Sequence, residues 1–483
     1  MWLLPGAVAL AVLLCPLPAR ACSAPEPSAA QGAWTRPCPA GGLEGPCSGL
    51  PRKRRAAPSF LDPLGGRAGR SPDLGALLPR KRRAAASLRG ITLHLSDSEN
   101  LLGNFAGGVK QGSTVQGLTT LSIDVRAGKA FGLPGGAVHA SVLDIHGQPL
   151  TGPYLDNLQA ANGNEGRDGA RLWELWYDQD FDHGRDDVKI GQQSIDNEFI
   201  VSSDSGLFVN TMAGWPLLPS FDMYGGGPAY PLSSLGARLR ARMTHGVTVL
   251  AGAFDDNPGG GRFAQNAQVL DPNGTNFNLN TGTLYIGELQ YATAVAGLPG
   301  SYKLGAWYDT GLFPDEYLAA DGLSQADPRS GGVPLLHHGD ASVYGVVDQT
   351  VWRSPVRAAR ALNVFGRIMG APDDRNLIDV AFNGGLTVND PLPGRPDDQF
   401  GIDLGIGHVS GRAAELDRAS GLPAQGVETL VELTYLAQVA RWLALQPDLQ
   451  YIVHPGGGLL DPADPRHLIR NELVAGVRAV VTF

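Results

Sequence analysis

The sequence predicts an all-β fold, a 16-stranded antiparallel transmembrane β-barrel with short periplasmic turns and long external loops. Three observations carry that prediction. Short segments in which apolar and polar residues alternate follow one another from Gly90 onward. The connections between them alternate in length. The last segment is amphipathic and ends on Phe483.

The clearest alternation lies between Arg171 and Phe199. Trp173, Leu175 and Tyr177 fall on one side of the first run, and Glu174, Trp176 and Asp178 on the other. In the second run Val188 and Ile190 oppose Lys189, Gly191 and Gln193, and the polar stretch Asp182–Asp187 separates the two. Period two means strands, because successive side chains point to opposite faces. The same reading gives strands near 90–101, 115–126, 137–147, 170–180, 187–195, 235–244, 246–256, 282–295, 301–310, 341–352, 361–371, 376–388, 399–410, 426–438, 443–452 and 469–483.

Connection lengths choose between a barrel and a soluble sandwich. The links 148–169, 196–234, 257–281, 311–340, 411–425 and 453–468 are long. The links 181–186, Thr244–Gly246, 296–300 and 439–442 are short. A sandwich has no reason to keep its long loops at one end, whereas an outer-membrane barrel does. Two links, 372–375 and 389–398, break the length rule. With both chain ends periplasmic the strand number is even, which sixteen satisfies. In the last strand Leu473, Ala475, Val477, Ala479 and Val481 alternate with Glu472, Arg478 and Thr482.

Composition is consistent. The chain is 43% hydrophobic and 18% charged with 65 Gly, low in charge and high in glycine for a soluble enzyme. No run after residue 21 reaches the roughly 18 apolar residues of a membrane helix, so a membrane location requires a barrel. Met1–Ala21 reads as a signal peptide, with an apolar core at Ala7–Leu14 and a small-residue cut at Ala19–Ala21. Its n-region carries no Lys or Arg. Residues 22–89 form a Pro/Ala/Arg-rich, largely disordered basic extension. Residues 1–90 hold 13 Lys/Arg against 4 Asp/Glu, and the remainder 25 against 43. LPRKRRAA occurs at Leu50–Ala57 and again at Leu78–Ala85, which makes Arg52–Arg55 and Arg80–Arg83 candidate contacts for an anionic envelope polymer. Nucleic acid is not expected in an exported chain without aromatics among these charges. The four cysteines, 15, 22, 38 and 47, all precede the barrel; Cys38 and Cys47 are the candidate pair.

If the apolar faces meet lipid, the polar faces line a pore. The pore-lining candidates are Arg238, Arg240, Arg242, Glu174, Trp176, Asp178, Lys189, Gln193, Lys303 and Trp307. Arg238, Arg240 and Arg242 share one face and need carboxylates or water opposite them. Guanidinium groups and carboxylates hydrogen-bond hydroxyls in pairs, and Trp176 and Trp307 offer faces on which a pyranose stacks. That mixture favours neutral polyols, whereas an arginine cluster alone suggests an anion pore. The long Ile195–Leu235 link is the segment expected to fold inward and narrow the pore. No GxSxG, HExxH or CxxC motif is present, so the chain reads as no enzyme and needs no cofactor. His337-His338 and the Asp271–Asn276 stretch read as solvated loops rather than metal sites.

Several motifs resemble the carbohydrate-selective porins (OprB type) of Gram-negative outer membranes. They are GNFAGGVKQG at Gly103–Gly112, LWELWYDQ at Leu172–Gln179 and KIGQQSIDNEF at Lys189–Phe199. AGWP at Ala213–Pro216, PAYPL at Pro228–Leu232, LQPDLQYIVHPGG at Leu445–Gly457 and RNELVAGVR at Arg470–Arg478 continue the likeness. The resemblance covers residues 90–483. It implies an outer-membrane porin β-barrel, commonly a homotrimer, that passes sugars by diffusion, with a general or anion-preferring porin as the alternative. The chain departs from the family before the first strand, where only LDPLGGR at Leu61–Arg67 stands in for a GDWGG-like motif.

Overall fold

The structure, a computed structural model, describes residues 87–483 apart from Arg89, His245, Ala264 and Ala358. Met1–Ala21, the expected signal peptide, both basic repeats and the four cysteines lie outside the described residues. Sixteen strands form the wall: β1 (Ile91–Ala106), β2 (Gly112–Arg126), β3 (Gly136–Gly147), β4 (Gly169–Phe181), β5 (Asp186–Gln193), β6 (Ser234–Thr244), β7 (Val247–Asp255) and β8 (Thr283–Val295). They continue as β9 (Leu298–Ala319), β10 (Pro334–Arg353), β11 (Ala361–Gly370), β12 (Ile378–Asn389), β13 (Gln399–Val409), β14 (Val427–Ala440), β15 (Leu443–Val453) and β16 (Glu472–Thr482). Each pairs antiparallel with its sequence neighbours, and β16 pairs with β1 through Val477↔Leu101. The ring therefore has no free edge, and every wall strand finds its backbone partners inside the sheet. Ser87–Leu88 folds back on Ile91 and Thr92 as a short extra strand.

The apolar face of the strands points outward. Leu239, Leu289, Leu304, Ile368, Val431, Leu449 and Val477 are exposed there, with Tyr285, Tyr291, Tyr308 and Tyr451 among them. Among the described residues no helix is long and apolar enough to cross a membrane, so the strands make the crossing. The two-residue turn Ala296–Gly297 has φ 52° and 79°, the mirror-image turn whose twist suits a hairpin, and glycine takes the second position without strain.

All sixteen expected strands are present. The largest departure is the β9–β10 hairpin, which runs well past the expected 301–310 and 341–352. Phe313↔His337 and Pro314↔Leu336 still pair, beyond an irregularity after Asp309. Gly311 and Pro314 read as loop residues in sequence, but a strand outside the membrane tolerates both at an irregular step. His337 and His338 accordingly lie on β10, not in a loop, and His337 Nε2 is 2.8 Å from Asp315 Oδ2.

The candidate pore and its loops

Two external connections fold into the barrel. The β5–β6 connection, residues 194–233, is buried along most of its length and carries two short helices, α1 (Thr211–Gly214) and α2 (Leu217–Asp222). The inward expectation for this segment agrees with the geometry. The β3–β4 connection, residues 148–168, also turns inward, which the sequence reading did not anticipate.

The inserted loop is seated by packing first. Ile195, Phe199, Ile200, Met212, Trp215, Leu217, Leu218 and Phe221 form one apolar cluster with Leu250, Phe254, Leu284, Ile286, Trp307, Tyr344 and Val346 of the wall. These wall positions face inward, so the inner surface is not uniformly polar. Trp307 is 2% exposed inside this cluster, and its ring is a seat for the loop rather than an open stacking platform.

Polar wall residues then take up the loop backbone. Glu288 accepts from Ile200 N at 2.8 Å. Asp348 accepts from Ser203 N and Asp204 N, each at 3.2 Å. Glu432 accepts from Val209 N at 2.5 Å and Asn210 N at 3.1 Å. Glu428 does the same for the β3–β4 loop, at 2.8 Å from both Leu158 N and Gln159 N. Arg367 donates to the carbonyls of Ile200, Ala213 and Gly214 at 3.2, 2.8 and 2.7 Å, and to that of Met212. Lys303 donates to Val201 O at 2.6 Å. A buried backbone group needs a partner, and a carboxylate that accepts two consecutive N–H groups supplies one where a loop leaves its ladder.

The remaining polar wall is an arc over β1–β6. His139 Nδ1 is 2.8 Å from Asp124 Oδ1, and His94 Nε2 is 3.4 Å from Asp124 Oδ2. His139 stacks on Trp176 with ring centres 4.9 Å apart, and the Lys189 ammonium lies 4.8 Å from the Trp176 centroid. Glu174 accepts from Ser194 N at 3.1 Å. Arg238 and Arg240 share the Asp187 carboxylate, with Arg240 Nε at 2.6 Å. Glu198, from the inserted loop, bonds Lys189 and lies 2.5 Å from Arg238 Nε. Burial works to raise the Glu198 carboxyl, but Lys189 and Arg238 outweigh it and hold it at about 2. Asp196, two residues earlier, lacks such cations; burial pushes it up to about 7 against the Ser194 hydroxyl and the Tyr230 N–H.

The structure thus brings together Arg238, Arg240, Lys189, Glu174, Trp176 and Asp178, all buried on the inward face. Trp176 is covered by its neighbours. Gln193 closes the end of β5, donating to Gly236 O at 2.8 Å. Arg242 sits one step toward the periplasmic turn, half-buried, outside the Asp187 pairing. Lys303 and Trp307 stand apart on β9, against the inserted loop. The sequence reading missed Asp187, Glu198, His94 and His139. Asp187 is legible, since it shares the inward phase of Lys189, although it also ends the polar stretch Asp182–Asp187. Glu198 is not, because nothing local says where a loop residue lands. Among the described residues no three acids, histidines or cysteines are grouped to hold a metal. Asp271 accepts from Thr275 N at 3.0 Å, and Gly274 O from Gln192 at 2.8 Å, so the Asp271–Asn276 stretch lies against the wall.

Comparison with known proteins supports the family reading. Residues 110–483 match the model of the carbohydrate-selective porin, OprB family. Porin B of Pseudomonas aeruginosa is 28% identical over 336 residues, 65% of this chain and 68% of that protein. The putative porin QuiX of Acinetobacter baylyi is 23% identical over 386 residues, 73% of this chain and 82% of that protein. Pseudomonas putida OprB at high pH shares the fold, with a TM-score of 0.73 at 23% identity over 82% of this chain and 94% of that one. With the ring of sixteen strands, the outward apolar face and the family match in hand, the chain belongs to the OprB family of carbohydrate-selective porins and is a barrel of the Gram-negative outer membrane.

Proposed function

We propose that the chain is a passive channel through which small carbohydrates cross the outer membrane, narrowed by its two inserted loops, with the Arg238–Asp187–Arg240 and Lys189–Glu198 network at the constriction. The observation that carries this reading is the charge balance. Three cations, Arg238, Arg240 and Lys189, stand among four carboxylates, Asp187, Glu198, Glu174 and Asp178. Such a site offers hydrogen bonds of both kinds at close spacing to a neutral polyol and has no net positive charge with which to prefer an anion. That argues against the anion-preferring porin, whose motivation is the arginines alone. Trp176, held between His139 and Lys189, braces the network rather than offering an open ring to a sugar.

Bilayer recordings test the reading. Added monosaccharide is expected to reduce the single-channel current, and Arg238→Gln/Arg240→Gln/Arg242→Gln to weaken that block. Strong anion selectivity without sugar block assigns the channel to ions instead. We also infer a homotrimer, as the family suggests, and attachment of the basic repeats at Arg52–Arg55 and Arg80–Arg83 to an anionic envelope polymer. Deleting residues 50–85 is expected to abolish salt-sensitive binding to lipopolysaccharide; undiminished binding refutes that attachment.

A further inference from the structure

Most inward carboxylates have evident partners. Asp187 and Glu198 face cations, and Glu288, Asp348, Glu428 and Glu432 take backbone N–H groups of the inserted loops. Asp256, Asp309 and Asp340 differ. They lie at the end of the barrel away from the Ala296–Gly297 turn, the external mouth. Asp256 follows β7, and Asp309 and Asp340 stand opposite each other on β9 and β10. The three are 1%, 0% and 2% exposed. Asp256 Oδ1 accepts from Thr281 Oγ1 at 2.6 Å, and Asp309 Oδ1 from Gly311 N at 2.8 Å. Asp256 Oδ2 and Asp309 Oδ2 are buried and meet no donor among the described residues. Nor does a lysine, arginine or histidine among those residues pair with Asp256 or Asp309; His337 and Arg375 nearby pair with Asp315 and Asp374.

Two glycines let these carboxylates meet. A Cβ on Gly311 would lie 2.9 Å from Asp256 Oδ2 and 3.1 Å from Asp309 Oδ1. One on Gly282 would lie 2.7 Å from Asp256 Oδ2 and 3.0 Å from Thr310 Oγ1. Oxygens of three residues thus converge where a side chain would otherwise stand. The two carboxyls are within hydrogen-bonding reach of each other, and two buried carboxylates so close cannot both stay ionised without positive charge between them. A shared proton supplies one charge and leaves Asp340 beside the pair; a divalent cation supplies two. Every atom on offer is an oxygen, the set that suits a hard cation such as calcium. Thr281 and Gly282 are half-buried and Thr310 is exposed, which gives an ion a way in. Tyr224 of the inserted loop covers the pair. Its hydroxyl donates to Leu312 O at 2.6 Å, and its ring packs edge-on against Phe263 of the β7–β8 connection, centres 4.9 Å apart.

We propose that Asp256 and Asp309 hold a calcium ion at the external mouth, with Asp340 adding negative charge beside it, and that the ion ties the β7–β8 connection to β9 beneath the inserted loop. Terbium, a luminescent substitute for calcium, tests this on the full chain refolded in detergent without lipopolysaccharide, so that no lipid phosphate competes for the ion. Emission excited through the aromatic rings of the protein is expected to saturate with terbium and to be reversed by millimolar calcium. Asp256→Asn and Asp309→Asn each keep the shape and remove one charge, and each is expected to weaken terbium binding at least ten-fold. Calcium is also expected to raise the temperature at which the compact gel form unfolds in the unaltered chain, and to leave it unchanged in both variants. Terbium emission equal in all three proteins, or absent from all three, overturns the site and assigns the pair a shared proton instead. Gel migration before heating reports whether each variant is a compact barrel, and either variant carries the test if the other fails to fold. Sugar block in bilayers is read separately, so loss of the cation site leaves the channel reading untouched.

Discussion

At the residue scale, Asp187 holds the account together. Its carboxylate is fully buried and shared by Arg238 and Arg240. Removing one partner of a buried ion pair leaves an uncompensated charge, at about 3–5 kcal/mol. Asp187→Asn is therefore expected to lower the temperature at which the compact gel form converts to the unfolded form, and an unchanged conversion temperature contradicts the pairing. Glu198→Gln tests the other carboxylate. It strips Lys189 and Arg238 of a counter-ion, so anion selectivity in bilayers is expected to rise while the barrel stays compact. An unaltered selectivity places Glu198 outside the ion path. Asp187 was within reach of the sequence, because period-two phase alone assigns it to the inward face. Trp176 shows the opposite limit. Its inward direction followed from alternation, but its stacking against His139 depends on the register of β3 and β4, which alternation does not give.

At the element scale, the β5–β6 loop is an internal plug with its own apolar core and a set of wall residues that complete its hydrogen bonds. Arg367 is the largest single tie, taking four loop carbonyls. A buried polar group left without a partner costs about 1–3 kcal/mol, so Arg367→Met is expected to loosen the loop, raising conductance and current noise. A quiet channel of unchanged conductance removes Arg367 from that role. Titration gives a second test. Burial raises Glu165 of the β3–β4 loop, and Asp196 and Asp204 of the β5–β6 loop, to about 7. A carboxyl raised in the seated loop binds its proton more tightly there than in the released loop. Seating therefore strengthens as pH falls from above 7 toward the ordinary carboxylate range, and weakens as pH rises through about 7. Glu198 acts in the other direction but only below its ordinary 4.5, toward about 2. Amide-exchange protection of residues 148–168 and 194–233, corrected for intrinsic rates, is thus expected to be higher near about pH 5 than near about pH 8.5; the reverse order contradicts the burial of these acids. Alternation marked the long loop but not its docking: Leu284 and Ile286 share a face with Glu288 and Gln290, and nothing local distinguishes a wall residue that seats a loop from one that lines water.

At the scale of the whole molecule, the barrel was the most legible part. Period-two alternation gives strands, long and short links give direction, and an even count closes the ring. All three are local in sequence, which is why all sixteen strands appear. What alternation could not supply is where one strand's extension ends, as at β9–β10, and what fills the interior, because both depend on contacts between residues far apart in the chain. The inserted loops fill much of the polar interior, and the proposed function puts the ion-pair network at the constriction they leave. The most direct measurement of that claim is the swelling of liposomes that contain the purified full chain, placed in isotonic sugar solutions of increasing size. Rapid swelling in monosaccharides that falls steeply for di- and trisaccharides is the predicted result. Swelling no faster than in protein-free liposomes, or equally fast for every sugar, would contradict it.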